Sequence, residues 1–76
     1  MKELITYIVQ NLVERPDAVA VTEVAGDKAQ LYEVHVDHDD LGKVIGKQGR
    51  TIRSVRALVS AAASRSGKRA TVEVVD

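Results

Sequence analysis

The sequence predicts a single α+β domain over residues 1–76, in which three helices cover one face of a three-stranded mixed sheet. Apolar residues recur at helical spacing in residues 2–13 and again in residues 50–65. Residues 18–25, 29–37 and 69–75 are instead rich in β-branched or alternating side chains, which is typical of strands. Glycines at positions 46 and 49 mark a tight loop between two helical stretches. The predicted order is therefore helix, strand, strand, helix, helix, strand.

The first helix is expected to pack one face on the sheet. The residues of that face, with their neighbours, are Leu4, Ile5, Ile8, Val9, Leu12 and Val13. Pro16 ends the helix, because the residue before a proline avoids helical backbone angles. The next two strands flank a turn at Gly26-Asp27-Lys28 and form an antiparallel hairpin.

In the second strand, alternation places Tyr32, Val34 and Val36 on one side. The aspartates before residue 41 are expected to start a short second helix by accepting hydrogen bonds from its free amides. The third helix begins near residue 50. Its predicted buried stripe consists of Ile52, Val55, Val59 and Ala62. Gly67 is the expected cap, and the last strand returns parallel to the second through a right-handed crossover.

The composition excludes several kinds of site. The chain has no cysteine, so disulfides, thiolate catalysis and cysteine-ligated metals are excluded. A secreted domain of this size usually needs disulfides, and no signal peptide is recognisable. No apolar stretch approaches the length of a membrane span. We therefore expect a cytoplasmic protein that contacts no membrane and uses no metal or other cofactor.

Charge is distributed unevenly, although the formal net charge is zero. Residues 1–42 carry three basic and nine acidic side chains, whereas residues 43–76 carry eight basic and two acidic ones. No acidic residue occurs from Lys43 to Val72. The basic half contains the glycine loop, which favours an anionic ligand there.

The stretch Val44-Ile45-Gly46-Lys47-Gln48-Gly49-Arg50-Thr51-Ile52 carries the strongest functional signal. Its glycines let the backbone turn sharply and approach a ligand closely. The first amides of the following helix have no partner within the helix, and such amides bind phosphate oxygens. Lys47 and Arg50 add positive charge at the same place. We interpret this loop as a grip for the backbone of a single-stranded nucleic acid.

Together with the order of elements, the stretch from Leu41 to Ile52 resembles a KH domain of the type II arrangement. More narrowly, the chain is similar to the small stand-alone bacterial KH proteins of the KhpA type. The resemblance implies binding of single-stranded RNA, or of single-stranded DNA, without catalysis, with about four nucleotides clamped. It also implies a homodimer or pairing with a larger KH-containing protein, and a role as RNA chaperone or post-transcriptional regulator.

Carried onto this sequence, the resemblance assigns the G-x-x-G loop to Gly46, Lys47, Gln48 and Gly49. It assigns the groove walls to Val44, Ile45, Ile52 and the edge of strand two, Val34 to Val36. The expected RNA-binding set also includes Lys43, Arg50, Thr51 and Arg53. With two tyrosines and neither tryptophan nor phenylalanine, the chain is poorly suited to stacking bases on exposed rings, which agrees with an aliphatic groove.

Other functions fit the sequence less well. The segment from Gly42 to Gln48 is too short between glycines for a nucleotide-binding P-loop and lacks the hydroxyl that binds magnesium. His35 and His38 would point to opposite faces of a strand, which argues against a metal site. Two histidines without other support make an enzyme improbable.

A protein–protein module is the alternative from a different functional class. Ala57 and Ala61 give the third helix a smooth flank beside Leu58, on which a second copy or a partner could pack closely. A domain this small also gains stability by oligomerisation. The two functions are compatible, and the sequence predicts both.

Overall fold

The computed structural model describes residues 1–27 and 29–75. Within them lie three α-helices, α1 (Lys2–Gln10), α2 (Leu41–Ile45) and α3 (Arg50–Arg65), and three strands, β1 (Ala20–Ala25), β2 (Gln30–His35) and β3 (Ala70–Val75). Short 3-10 turns occur at Pro16–Ala18, His38–Asp40 and Lys47–Gly49. The predicted α+β class and the order of helices and strands are confirmed.

The sheet has the order β1–β2–β3, with β2 in the centre. β1 runs antiparallel to β2 and places Val21 opposite Val34. β3 runs parallel to β2 and places Val72 beside Tyr32. Both predicted pairings are therefore confirmed. The predicted hairpin turn included Lys28, which lies outside the described residues.

The core lies between the helices and one face of the sheet. Its buried side chains are Ile5, Val9, Val21, Tyr32, Val34, Val36, Val44, Ile52, Val55, Val59 and Val72. The other face of the sheet carries half-buried Leu31, Glu33 and His35 and exposed Glu73. The expectation of one covered and one partly solvated face is thus confirmed.

Two helix details differ from the prediction. α1 ends at Gln10, not at residue 13, and the side-chain amide of Asn11 donates to the Tyr7 carbonyl at 2.7 Å to cap the end. In α3 the last buried residue is Ala63 and not Ala62. Three turns of an α-helix take about 11 residues, so position 63, and not position 62, returns to the face of Ile52.

Candidate nucleic-acid interface

The glycine loop is a tight bend between α2 and α3. The Gly46 amide closes α2 on the Gly42 carbonyl at 2.9 Å, and the Gly49 amide donates to the Gly46 carbonyl at 3.1 Å. Three of its residues have positive φ: Gly46 (77°), Gln48 (57°) and Gly49 (75°). The chain therefore reverses within four residues and points the exposed Lys47 and Gln48 side chains away from the core.

The two glycines of the loop are required for different reasons. Gly46 combines φ 77° with ψ 171°, a region that only glycine occupies readily. A Cβ at this position would also lie 2.6 Å from the Thr51 Cβ and 2.8 Å from the Thr51 amide nitrogen. At Gly49 a Cβ would meet nothing within 4 Å. Gly46 thus packs against the first turn of α3, whereas Gly49 supplies only a left-handed backbone angle.

Positive charge surrounds the bend. Lys47, Arg50 and Arg53 are exposed, and none of them takes part in an ion pair among the described residues. In the part of the chain that the structure describes, no side chain caps the N-terminus of α3, and no acidic residue lies in its first turn. The positive end of the helix dipole and three cations therefore meet at one surface, which is suited to bind an anion.

Lys43 differs from the other basic residues assigned to the interface. Its ammonium lies 3.5 Å from the Glu14 carboxylate and 3.6 Å from the Asp40 carboxylate. These two carboxylates already pair with the Lys43 ammonium, which is therefore less available to a phosphate. Lys43 is thus tied to the chain that precedes β1, although it lies only one turn before Gly46.

Asp40 is a buried carboxylate whose role the sequence did not indicate. The residue is 2% exposed, and its carboxylate accepts hydrogen bonds from the backbone amides of Glu14 (3.3 Å) and Arg15 (3.1 Å). Burial alone would raise the pKa of Asp40, but the two amides and the Lys43 ammonium outweigh it and hold the pKa below its usual value. The helix-start role expected for the aspartates falls to Asp37, which accepts from the Asp39 amide.

The apolar residues assigned to the groove lie at different depths. Ile45 is 40% exposed beside the bend, while Val44 and Ile52 are buried beneath it. Gly46, Gly49 and Thr51 are half-buried.

The proposed wall on strand two needs correction. Val34 is 0% and Val36 is 9% exposed, because both belong to the core. β2 also has a neighbouring strand on each side, so residues 30–35 offer no free edge. The free edge next to α3 belongs to β3.

Arg56 marks that free edge, and sequence reasoning did not assign it a role. Its Nε donates to the Val72 carbonyl at 2.9 Å and so joins α3 to the outer edge of β3. The only hint of this role in the sequence was that Arg56 is a basic residue on a helix without acidic residues. Its partner is a backbone atom far along the chain, which no sequence pattern specifies.

The alternative sites receive no support from the described part of the chain. His35 is in β2, whereas His38 begins a 3-10 turn, and residues 1–27 and 29–75 contain no group of three His, Asp or Glu side chains that could hold a metal ion. A helix, not a strand, leads into the glycine loop, which is inconsistent with a P-loop. None of the helices in these ranges is long and apolar enough to cross a membrane.

Comparisons with known proteins give a consistent result. Residues 2–74 match the family model described as "KhpA/KhpB, KH domain". The chain is 45% identical over 76 residues to the RNA-binding protein KhpA of Chlamydia pneumoniae, an alignment that covers 100% of this chain and 97% of that one. It is 44% identical over 75 residues to the RNA-binding protein KhpA of Clostridium perfringens, covering 99% of this chain and all of the relative.

A third relative, the RNA-binding protein KhpA of Caldanaerobacter subterraneus, is 47% identical over 75 residues, with 99% of this chain and 100% of the relative covered. No solved structure matches the chain. The observed helix and strand order and the mixed sheet agree with a type II KH fold. On the family match and on identity over its full length to these bacterial proteins, the chain belongs to the KhpA/KhpB family of KH domains.

Proposed function

We propose that this protein binds single-stranded RNA as one KH domain over residues 1–76, and that its Gly46–Gly49 loop grips the sugar–phosphate backbone. One observation carries the proposal: among residues 1–27 and 29–75, Lys47, Arg50 and Arg53 have no carboxylate partner, and they surround a bend that leads into the N-terminus of α3, which no side chain in these ranges caps. Relatives that match over the whole chain are named RNA-binding proteins. The same grip accepts single-stranded DNA, since the phosphates are shared.

The bases lie on an aliphatic surface next to the loop. Ile45 contacts them directly, and Val44 and Ile52 support it from below. The opposite wall is the free edge of β3, which replaces the strand-two wall expected from the sequence. The sheet itself is a poor platform, because Glu33 and Glu73 lie side by side on its open face and repel phosphates.

For the cellular role, we propose what the resemblance to KH proteins implies. The protein acts in the cytoplasm as an RNA chaperone or post-transcriptional regulator. It performs no catalysis itself and uses no cofactor.

The loop is tested by the double substitution Lys47→Asp with Gln48→Asp. Both side chains are exposed, so the fold persists while the anionic backbone is repelled. We expect affinity for a fluorescein-labelled oligouridylate to fall at least tenfold, about 1.4 kcal/mol, in fluorescence anisotropy. The matched control is Lys2→Asp with Gln10→Asp, which makes the same charge change on exposed positions of α1. Equal losses in both variants, or no loss in the loop variant, would refute the grip.

The salt dependence of RNA binding gives an independent measurement of the number of phosphate contacts. Each phosphate contact to single-stranded nucleic acid contributes about 0.7 to the slope of log K against log salt concentration. Three open cations at the loop therefore predict a slope of about 2 in magnitude. Binding that does not change with ionic strength would contradict a phosphate grip.

A second function, assembly with another copy or with a larger KH-containing protein, is favoured by the exposed apolar side of the helices. Leu58 is 58% exposed on α3, next to exposed Ala57 and Ala61. Leu4 and Tyr7 on α1 are also exposed. We expect Leu58→Asp to convert a homodimer to a monomer in light scattering, while Val24→Asp, on the open sheet face, leaves the mass unchanged. An unaltered mass in the Leu58 variant would place the contact elsewhere.

A further inference from the structure

The outer edge of β1 is the least protected part of the sheet. β1 lies on one side of the three strands and pairs only with β2. Proteins usually protect such an edge with lysine, proline or a bulge. The strand Ala20–Ala25 contains no lysine or proline, pairs with β2 in unbroken register, and exposes five of its six residues. An edge of this kind is suited to pair with a further strand.

One hydrogen bond between strands shows which backbone groups of β1 face outward. The Gln30 amide donates to the Arg69 carbonyl at 2.9 Å, so the even-numbered residues of β2 turn their backbone groups toward β3 and the odd-numbered ones toward β1. Through the register of the hairpin, the backbone groups of Val21, Glu23 and Ala25 point away from the sheet. Within residues 1–27 and 29–75 these groups have no hydrogen-bond partner. A row of donors and acceptors is thus open along β1.

The opposite edge of the sheet is already used by the chain itself. The Arg56 Nε donates to the Val72 carbonyl at 2.9 Å. This bond agrees with the alternation deduced for β2, because that alternation turns the even-numbered residues of β3 outward. β1 is therefore the edge that remains for a further strand.

On the helix side of this edge, Glu23 presents a carboxylate to an incoming strand. Its Oε1 accepts from the Gln30 side-chain amide at 2.7 Å and lies 3.4 Å from the Tyr32 hydroxyl. Its Oε2 has no partner among the described residues. The carboxylate lines a cavity of about 310 Å³, into which a long side chain can extend. Lys68 lines the same cavity, but within residues 1–27 and 29–75 it forms no ion pair with Glu23.

On the open face, an incoming strand meets an apolar side chain and two further carboxylates. Val24 is 44% exposed. Thr22 lies on the same face opposite Glu33, and Glu73 lies beside Glu33. Neighbouring strands are about 4.8 Å apart, so a lysine or arginine placed next to Thr22 can extend to the Glu33 carboxylate. The edge therefore fits a segment with a basic side chain on each face and an apolar one next to Val24.

The charges around the edge distinguish between possible partners. Pairing of β1 with the same strand of a second copy brings two acidic halves together, since residues 1–42 carry nine acidic and three basic side chains, and like charges in neighbouring strands repel. The phosphates of RNA are repelled for the same reason. A lysine- or arginine-rich segment gains backbone hydrogen bonds and charge pairs together.

We infer that the outer edge of β1 binds an extended, basic segment of a partner protein by strand addition, and that Glu23 and Glu33 pair with its cationic side chains. This inference goes beyond the proposed function and does not depend on RNA binding, because the glycine loop supplies no residue to this edge. It also places the segment on a different surface from Leu58.

The test titrates the isotope-labelled protein with the peptide TVKKKVT and follows its backbone amides by NMR. With the central lysine next to Thr22, the peptide places a lysine beside Glu23 and a valine beside Val24 in either strand direction. We expect the amide signals of Val21, Glu23 and Ala25 to shift and to exchange more slowly with solvent. The even-numbered amides of β1 already donate to β2 and keep their exchange rates. Shifts confined to other elements, or no binding, overturn the inference.

Two N-methylated peptides test strand addition itself. Methylation of the second and fourth peptide amides, or of the third and fifth, removes donors from one edge of the peptide at a time. Only one of these edges faces β1, whichever way the peptide runs. One methylated peptide therefore keeps its affinity, and the other, which loses two hydrogen bonds, binds at least about tenfold more weakly. Equal affinities would show that charge alone holds the peptide, and would overturn strand addition.

Charge variants test the two recognising carboxylates. Glu23→Gln with Glu33→Gln keeps the size of both side chains and lowers peptide affinity roughly fivefold at low salt. The control, Glu14→Gln with Asp39→Asn, removes two charges elsewhere and leaves affinity within about twofold. Equal losses in the two variants overturn the assignment. Protection of the β1 edge that grows with protein concentration in the absence of peptide, or displacement of the peptide by oligouridylate, gives the edge to a second copy or to RNA and also overturns it.

Discussion

The two ends of α2 differ in how their polar groups are satisfied. At the N-terminal end the chain supplies its own partners: buried Asp40 accepts two backbone amides and lies 3.6 Å from the Lys43 ammonium. At the C-terminal end, the Gly46–Gly49 bend is surrounded by exposed cations that pair with no carboxylate among the described residues. Charge that is already paired stabilises the fold, whereas charge left open is available to a ligand. We call the N-terminal end of α2, with its paired charges, the closed end, and the Gly46–Gly49 bend the open end. Substitutions at the closed end should therefore change mainly stability, and substitutions at the open end mainly binding.

Gly46 is the exception to this division, because its substitution is expected to lower stability more than any other substitution considered. It lies at the open end, yet Gly46→Ala should lower the free energy of unfolding by about 3 kcal/mol, because the glycine-only backbone angles and the contact with Thr51 both oppose a side chain. Gly49→Ala should cost about 1 kcal/mol, for its backbone angle alone. Urea denaturation gives both values, and equal costs for the two substitutions would contradict the distinction.

Asp40→Asn should lower stability at the closed end next most strongly. An asparagine has one side-chain oxygen, so one of the Glu14 and Arg15 backbone amides loses its acceptor, and the Lys43 ammonium loses a charged partner. RNA affinity of the folded fraction should be retained, since the open end is untouched. Urea midpoints near neutral pH, compared with those of exposed Asp39→Asn, measure the difference. A loss of affinity larger than the loss of folded protein would show that the closed end also positions the loop.

The same carboxylate makes a pH prediction. Because the folded-state pKa of Asp40 is lowered, its stabilisation is fully present above the unfolded pKa of about 3.9 and is lost as pH falls through the lower folded value. The intact protein should therefore lose more stability than Asp40→Asn as the pH is lowered below about 4. Parallel stability curves in that range would mean that the carboxylate is not held in its charged form.

The sequence predicted the open end far better than the closed one. Positive-φ glycines and uninterrupted basic charge are local properties, so Gly46, Gly49 and the cations near them were recognisable from spacing alone. Local periodicity likewise predicted the helices and strands, and the length of the connections between strands predicted their pairing. Asp40, Lys43 and Arg56 act through partners 16 to 29 residues away, and only the assembled fold brings these partners near. The Val34 to Val36 wall was wrong because two strands enclose β2 and helices cover its apolar side.

Lys43 and Lys47 offer the most direct comparison of the two ends in RNA binding. Lys47→Gln removes an open cation and should weaken oligouridylate binding roughly fivefold, about 1 kcal/mol, with the salt slope reduced by about 0.7. Lys43→Gln removes a cation already paired with Glu14 and Asp40 and should change affinity by less than about twofold. Equal effects in anisotropy would mean that the carboxylates do not neutralise Lys43 in solution.

Glu14→Gln has the smallest expected effect and converts part of the closed end into an open one. The Glu14 carboxylate is largely exposed at 3.5 Å from Lys43, so its loss should change stability by no more than about 0.5 kcal/mol. Lys43 then keeps Asp40 as its one carboxylate partner among the described residues and is more available to phosphate. RNA should bind about twofold more tightly at low salt, an advantage that disappears as salt screens the charge. Glu3→Gln, which removes the same charge from α1, is the control. If it tightens binding equally, the gain reflects net charge and not the release of Lys43.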